Sequence, residues 1–67
     1  MKGFSVFTIH SGGEIRYQCK TPERLGAAHA VRCGRIHADA IGDSAQGFGV
    51  KDHAGKLVAQ HYRPFIL

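Results

Sequence analysis

The sequence predicts an α+β fold: a two-layer ββαββ domain with one long helix packed on an antiparallel four-stranded sheet. Three observations predict it. Two runs rich in aromatic and β-branched residues flank a Gly-Gly turn near the N-terminus. An alanine-rich stretch with start and stop signals follows. Two further alternating runs, divided by His53-Ala54-Gly55, close the chain. With 67 residues, residues 1–67 form a single domain, because a chain this short has no room for a second core.

The first strand is expected over Gly3 to His10. Phe4 and Val6 point to one face, Phe7 and Ile9 to the other, so both faces are apolar, as in a central strand or one covered by a partner. Ser11-Gly12-Gly13 reads as a turn. The second strand, Glu14 to Lys20, alternates strictly: Ile15, Tyr17 and Cys19 form one face, and Glu14, Arg16, Gln18 and Lys20 the other. Thr21-Pro22-Glu23 carries helix-start chemistry, with Thr as N-cap, Pro in the first helical position and Glu at the positive end of the dipole. The helix is therefore expected from Pro22 to about Ile41, with Gly42 as its C-cap. Gly26 and Gly34 weaken it by about 1 kcal/mol each relative to Ala, a cost tolerated where another element packs closely.

Gln46 to Asp52 is expected as the third strand, with Phe48 and Val50 on one face. Gly47 and Gly49 there signal a bulge or a close backbone approach. Gly55 takes the left-handed position of a short hairpin loop, and Leu57 to Arg63 is the fourth strand. Val58 and Tyr62 fall on one of its faces, and Leu57, Ala59 and His61 on the other. Pro64 ends the pairing and leaves an apolar tail, Phe65-Ile66-Leu67.

Charge and thiols bound the function. The net charge is +4 with a pI near 9.5, the first mark of a nucleic-acid binder. The cations are dispersed rather than striped, which suits a solvated surface equally well. No strictly apolar run exceeds three residues, far short of a membrane span. Met1-Lys2-Gly3-Phe4 has no export signature, so a cytoplasmic location with reduced thiols is expected. A Cys19–Cys33 disulfide would require export instead.

The candidate chemistries are thin. His29, Cys33 and His37 lie at i, i+4, i+8 on one helix stripe, but eight residues span about 12 Å, too far for one tetrahedral ion to take all three. No metal or other cofactor is expected. Cys33 is mid-helix and gains nothing from the dipole; Cys19 is nearer the helix start and beside Lys20, but alternation places it with Ile15 and Tyr17, so both read as structural rather than nucleophilic. Gly42 to Gly49 has glycines but no following Lys, and it precedes a strand, so it is not a phosphate loop. No enzyme activity is expected.

A protein–protein surface is expected instead, with a nucleic-acid surface as the alternative. Ala30, Gly34 and Ala38 form a small-residue row on the helix, and with Phe65, Ile66 and Leu67 they are the candidate interface of a homodimer, with exchange of elements as one route. Arg16, Lys20, Arg32, Arg35 and Lys51 are the candidate nucleic-acid contacts. Arg16, Lys20 and Lys51 could share an open sheet face with Tyr62 or Phe7, basic side chains beside aromatics as in sheets that bind single-stranded RNA, although the aromatic signature of that platform is absent from the sequence.

Phe7-Thr8-Ile9-His10-Ser11-Gly12-Gly13, the alanine-rich helix and Val50-Lys51-Asp52-His53-Ala54-Gly55-Lys56-Leu57-Val58 together resemble small proteobacterial domains of ββαββ type. The resemblance covers most of the chain. It implies the same fold and brings no assigned activity with it. Those domains carry an acidic segment before the helix, where this chain has Arg16-Tyr17-Gln18-Cys19-Lys20. In size, charge and element order the chain is also similar to some phage-encoded inhibitors of CRISPR complexes, a likeness of architecture that does not fix function. The expectation is a non-enzymatic protein–protein interaction domain, homodimeric, with nucleic-acid or nucleoprotein binding as the alternative.

Overall fold

A computed structural model describes residues 2–66. The chain runs β1 (Gly3–His10), β2 (Ile15–Pro22), a 3-10 turn (Glu23–Leu25), α1 (Gly26–Ile41), β3 (Ala45–Lys51) and β4 (Leu57–Tyr62). The strands make one antiparallel sheet in the order β2-β1-β3-β4. The helix packs along one side of it, mainly over β1 and β3. This is the expected α+β architecture. Among the described residues no helix is long and apolar enough to cross a membrane.

The hairpin turns follow their chemistry. Gly12 and Gly13 both sit at positive φ (79° and 81°), which an L side chain rarely adopts, and the His10 amide donates to the Glu14 carbonyl at 2.7 Å. In the second hairpin the Asp52 carboxylate accepts from the Ala54 and Lys56 amides, each at 2.9 Å, and pins the loop.

The helix start corrects the sequence reading. Thr21 and Pro22 do not cap and open the helix; they end β2, with Thr21 paired to Phe4 and Pro22 to Gly3. Pro22 costs no ladder bond there because β2 is an edge strand. A single 3-10 turn follows, and Gly26, at φ 85°, redirects the chain before the helix begins. Helix-start residues lose to strand pairing here because extending β2 buries Thr21 against the sheet, although its hydroxyl finds no hydrogen-bond partner. At the other end Gly42 caps the helix as expected, its amide donating to the Ala38 carbonyl at 3.0 Å.

Two small clusters form the core between helix and sheet. Val6, Ala30 and Val50 make one, flanked by Phe4, Cys19, Val31, Cys33 and Ala59. Ala38, Ala45 and Phe48 make the other, flanked by Val31 and Phe65. Between them, Gly34 lies directly over Phe48, and a Cβ at Gly34 would fall into the Phe48 ring. Phe48 has nowhere to go. It is fully buried, with Phe65 edge-on at 5.0 Å and the His61 ring at 5.3 Å.

The row Ala30, Gly34 and Ala38 is therefore the helix's contact with its own sheet. This corrects the expectation that the row meets a second chain: its surface is already covered. The tail is divided. Phe65 is half-buried and packs against the core, edge-on to Phe48 and under the Arg63 guanidinium at 4.7 Å. Ile66 is 90% exposed, and Leu67 lies outside the described residues. Arg63 anchors the tail by donating to the carbonyls of Ala45 (2.7 Å), Ala38 (2.8 Å) and Gly42 (3.1 Å). It thereby ties the chain after β4 to the helix end and to the start of β3, adding a second donor to the Ala38 and Gly42 carbonyls.

Gly34→Ala tests the close approach. Helix propensity alone would make this change stabilising by about 1 kcal/mol. Overpacking against Phe48 costs about 1–3 kcal/mol, so the variant is expected to unfold at lower urea concentration than the parent. An unchanged or higher midpoint would show that the helix does not lie on Phe48.

Candidate binding face of the sheet

The side of the sheet away from the helix has no layer over it. Strand register assigns its side chains. Tyr17, Phe7, Gly49 and Gln60 form one cross-strand row, Ile15, Ile9, Gly47 and Tyr62 the next, and Lys20, Ser5, Lys51 and Leu57 a third. Not one of these twelve is acidic.

Glycine shapes the floor of this face. A Cβ at Gly49 would run into the Phe7 ring, and one at Gly47 would meet Tyr62. The two rings therefore lie down over the β3 backbone. Phe7 is only 2% exposed although no helix covers it; it is closed over by its own neighbours, with Tyr17 at 5.7 Å between ring centroids. The glycine pair is thus a close approach, as expected. A bulge lies beside it, where Ile9 pairs with Gly47 but His10 with Ala45, leaving Gln46 as the extra residue.

A second bulge assembles the polar part of the face. Val6 pairs with Cys19 and Phe7 with Tyr17, so Gln18 is the extra residue. Strict alternation would put Tyr17 and Lys20 on opposite faces. The bulge shifts the phase, sends Cys19 to the helix side and brings Lys20 round to stand with Tyr17. Gln18 turns to the helix side, where its amide donates to Thr8 Oγ1 at 2.9 Å, and that oxygen lies 2.8 Å from the His10 ring Nε2.

Lys51 sits at the centre of the site. Its ammonium lies 5.6 Å from the Phe7 ring centroid and 5.9 Å from that of Tyr17, within cation–π range. It also donates to the Tyr17 hydroxyl at 3.3 Å. Lys20, Lys51 and Tyr17 line an open basin of about 290 Å³ with Gly3, Ser5, Asp52, His53 and Gly55. The one carboxylate in that lining, Asp52, is occupied by the loop amides described above. Tyr17 is 60% exposed and Tyr62 55%. The Tyr62 hydroxyl accepts from the Gln60 amide at 2.8 Å.

Of the five candidate nucleic-acid contacts, the fold brings two together, Lys20 and Lys51. Arg16 pairs in register with Thr8, not with the bare face, and its guanidinium bridges Glu14 at 2.8 Å. Arg32 and Arg35 lie on the outer side of the helix, with Arg35 paired to Asp39 at 3.7 Å. The sequence reading counted Tyr17 with the half-buried set and did not single it out. Its signal was present, a tyrosine in an edge strand beside a run of cations, but the bulge that groups it with Lys20 leaves no mark in the alternation. β4 differs in the same way: Val58 is the extra residue of a bulge, and Leu57 joins Gln60 and Tyr62 on the bare face.

Other titratable groups gather on the helix side. Cys33 Sγ lies 3.5 Å from the His29 ring Nε2. Cys19 and Cys33 pack against the same core cluster as free thiols. Burial, and then the neighbouring Cys33, push the Cys19 thiol above its ordinary pKa. Among the described residues no three His, Cys, Asp or Glu side chains converge as a metal site. Compared with known proteins, the chain matches no family profile, no curated protein and no solved structure.

The thiol environment is directly measurable. Alkylation proceeds through the thiolate, so the pH at which Cys19 reacts at half its limiting rate with iodoacetamide is expected to lie above that of free cysteine. Mass spectrometry of the alkylated peptide reads this. A midpoint at or below that of free cysteine would mean an activated thiol, against the packing described.

Proposed function

We propose that this chain is a non-enzymatic binding module whose working surface is the bare face of the sheet and whose partner there is a polyanion. The observation that carries the reading is the grouping of Lys20 and Lys51 beside the exposed Tyr17 on a face whose cross-strand rows contain no carboxylate. A cationic surface with aromatic walls attracts anions over a distance and holds them by contact. The excess of basic residues across the chain, +4, works in the same direction. The two free thiols suit a reducing cytoplasm.

The homodimer expected from the sequence has weaker support. Its helix row is buried, and one tail residue is part of the core. Pairing two copies through the bare face brings like charges together. A catalytic reading has less support still, since the raised Cys19 and the His29–Cys33 pair lie across the sheet from the basin.

Heparin, a polyanion without bases, tests the reading. The double variant Lys20→Glu/Lys51→Glu is expected to elute from heparin at clearly lower salt than the parent. Arg32→Glu/Arg35→Glu changes net charge equally and is expected to elute close to the parent. Equal displacement of the two variants would mean that net charge alone governs retention, and would overturn the assignment of the face.

A further inference from the structure

We propose that the polyanion is single-stranded nucleic acid, with bases stacked on Tyr17 and Tyr62 and the backbone held over Lys51 and Lys20; this rests on the face being the anion-binding surface. The bare face offers what an unpaired strand requires and a simple polyanion does not. Two aromatic rings, each more than half exposed, stand on the two edge strands of the same face. Between them the floor is apolar, made by Phe7, Ile9, Gly47 and Gly49. Nucleobases stack on such rings whatever their sequence, because every base has a π face. A duplex hides those faces, so the site selects unpaired strands.

The lysines are placed for phosphates. Lys51 is held against Phe7 and Tyr17 with its ammonium at the basin, and Lys20 lines the same basin from β2. They serve the Tyr17 end of the face. The Tyr62 end, with Ile15 and Ile9 in its row, has no cation in register. The strand therefore lies with phosphates toward the basin and a base reaching across to Tyr62.

The span sets a length. The edge strands β2 and β4 are three inter-strand spacings apart, about 14 Å. At about 3.4 Å per stacked nucleotide this is about four nucleotides. A strand of two nucleotides reaches one tyrosine, and a longer strand reaches both.

The chain supplies its own probe. It has two tyrosines and no tryptophan, so when excited at wavelengths beyond phenylalanine absorption its emission comes from Tyr17 and Tyr62. Titration with oligothymidylate of twelve nucleotides is expected to quench that emission, and titration with heparin to leave it largely unchanged. Measured by anisotropy, Tyr17→Ala and Tyr62→Ala are each expected to weaken binding of the labelled twelve-nucleotide strand about fivefold or more. Tyr17→Phe and Tyr62→Phe keep the ring and should stay within about twofold of the parent. With two phosphates neutralised, raising salt from 50 to 200 mM should weaken binding about sevenfold. On a strand of two nucleotides, Tyr62→Ala should have no effect. Circular dichroism establishes that each variant is folded.

If the alanine variants bind the long strand as well as the parent does, without quenching, while Lys20→Glu/Lys51→Glu still loses heparin, stacking is wrong and the anion-binding face stands. If the lysine variant binds heparin and oligonucleotide like the parent, both fall. A parent that binds no oligonucleotide and sediments as a dimer broken by Tyr62→Ala would assign the face to a second copy and overturn the proposal.

Discussion

The contact of Gly34 with Phe48 sets the dimensions of this molecule. A helix that carries glycine at the crossing point can drop onto an aromatic ring instead of standing off from it, and the alanines one turn to either side, Ala30 and Ala38, let it lie down along its length. Burying a phenylalanine side chain stabilises by about 1.5–3 kcal/mol, a large share of what a 67-residue domain can hold in reserve. The rest of the inner layer is arranged around that ring. Phe65 returns from the C-terminus to meet its edge, His61 covers it from β4, and Arg63 ties the returning chain to the last carbonyls of the helix. Phe65 is thus part of the inner layer, while Ile66 stays exposed.

With one helix spent on one side, the other side of the sheet must manage without a layer. Here the same device is repeated. Phe7 folds down onto Gly49, and Tyr62 leans over Gly47, so the central strands are covered by rings lying on backbone. This conceals most of the apolar surface of β1 while leaving the two tyrosines of the edge strands accessible. The face that results is aromatic at both margins and cationic at one end.

Much of the architecture could be read from the residues. Period-2 runs and glycine-bearing turns marked the strands, and Gly42 marked the helix end, because these signals depend on local conformational preference. Gly26 illustrates where such preference is overridden. Thr21-Pro22-Glu23 has the chemistry of a helix start, but pairing of Thr21 with Phe4 and Pro22 with Gly3 keeps the segment in the sheet, and the turn into the helix waits for the residue that can take positive φ. The bare face was legible only in part. Lys51 and Tyr62 fall on it by simple alternation. Lys20 and Leu57 reach it through bulges at Gln18 and Val58, and a bulge is a property of two strands that one strand's pattern does not show. The small-residue row on the helix was seen correctly as a site of close approach, but composition cannot tell an element's own sheet from a second chain.

The central claim is that the bare face, rather than the outer side of the helix, is where this protein meets its partner. Chemical-shift mapping of isotope-labelled protein during titration with the twelve-nucleotide oligothymidylate tests it most directly. The account predicts that the largest shifts fall on Ser5, Phe7, Gly49 and Lys51 and on the rings of Tyr17 and Tyr62, with the amides of Arg32 and Arg35 unmoved. Shifts concentrated at Arg32, Ile36 and neighbouring helix residues, with the sheet silent, would contradict it.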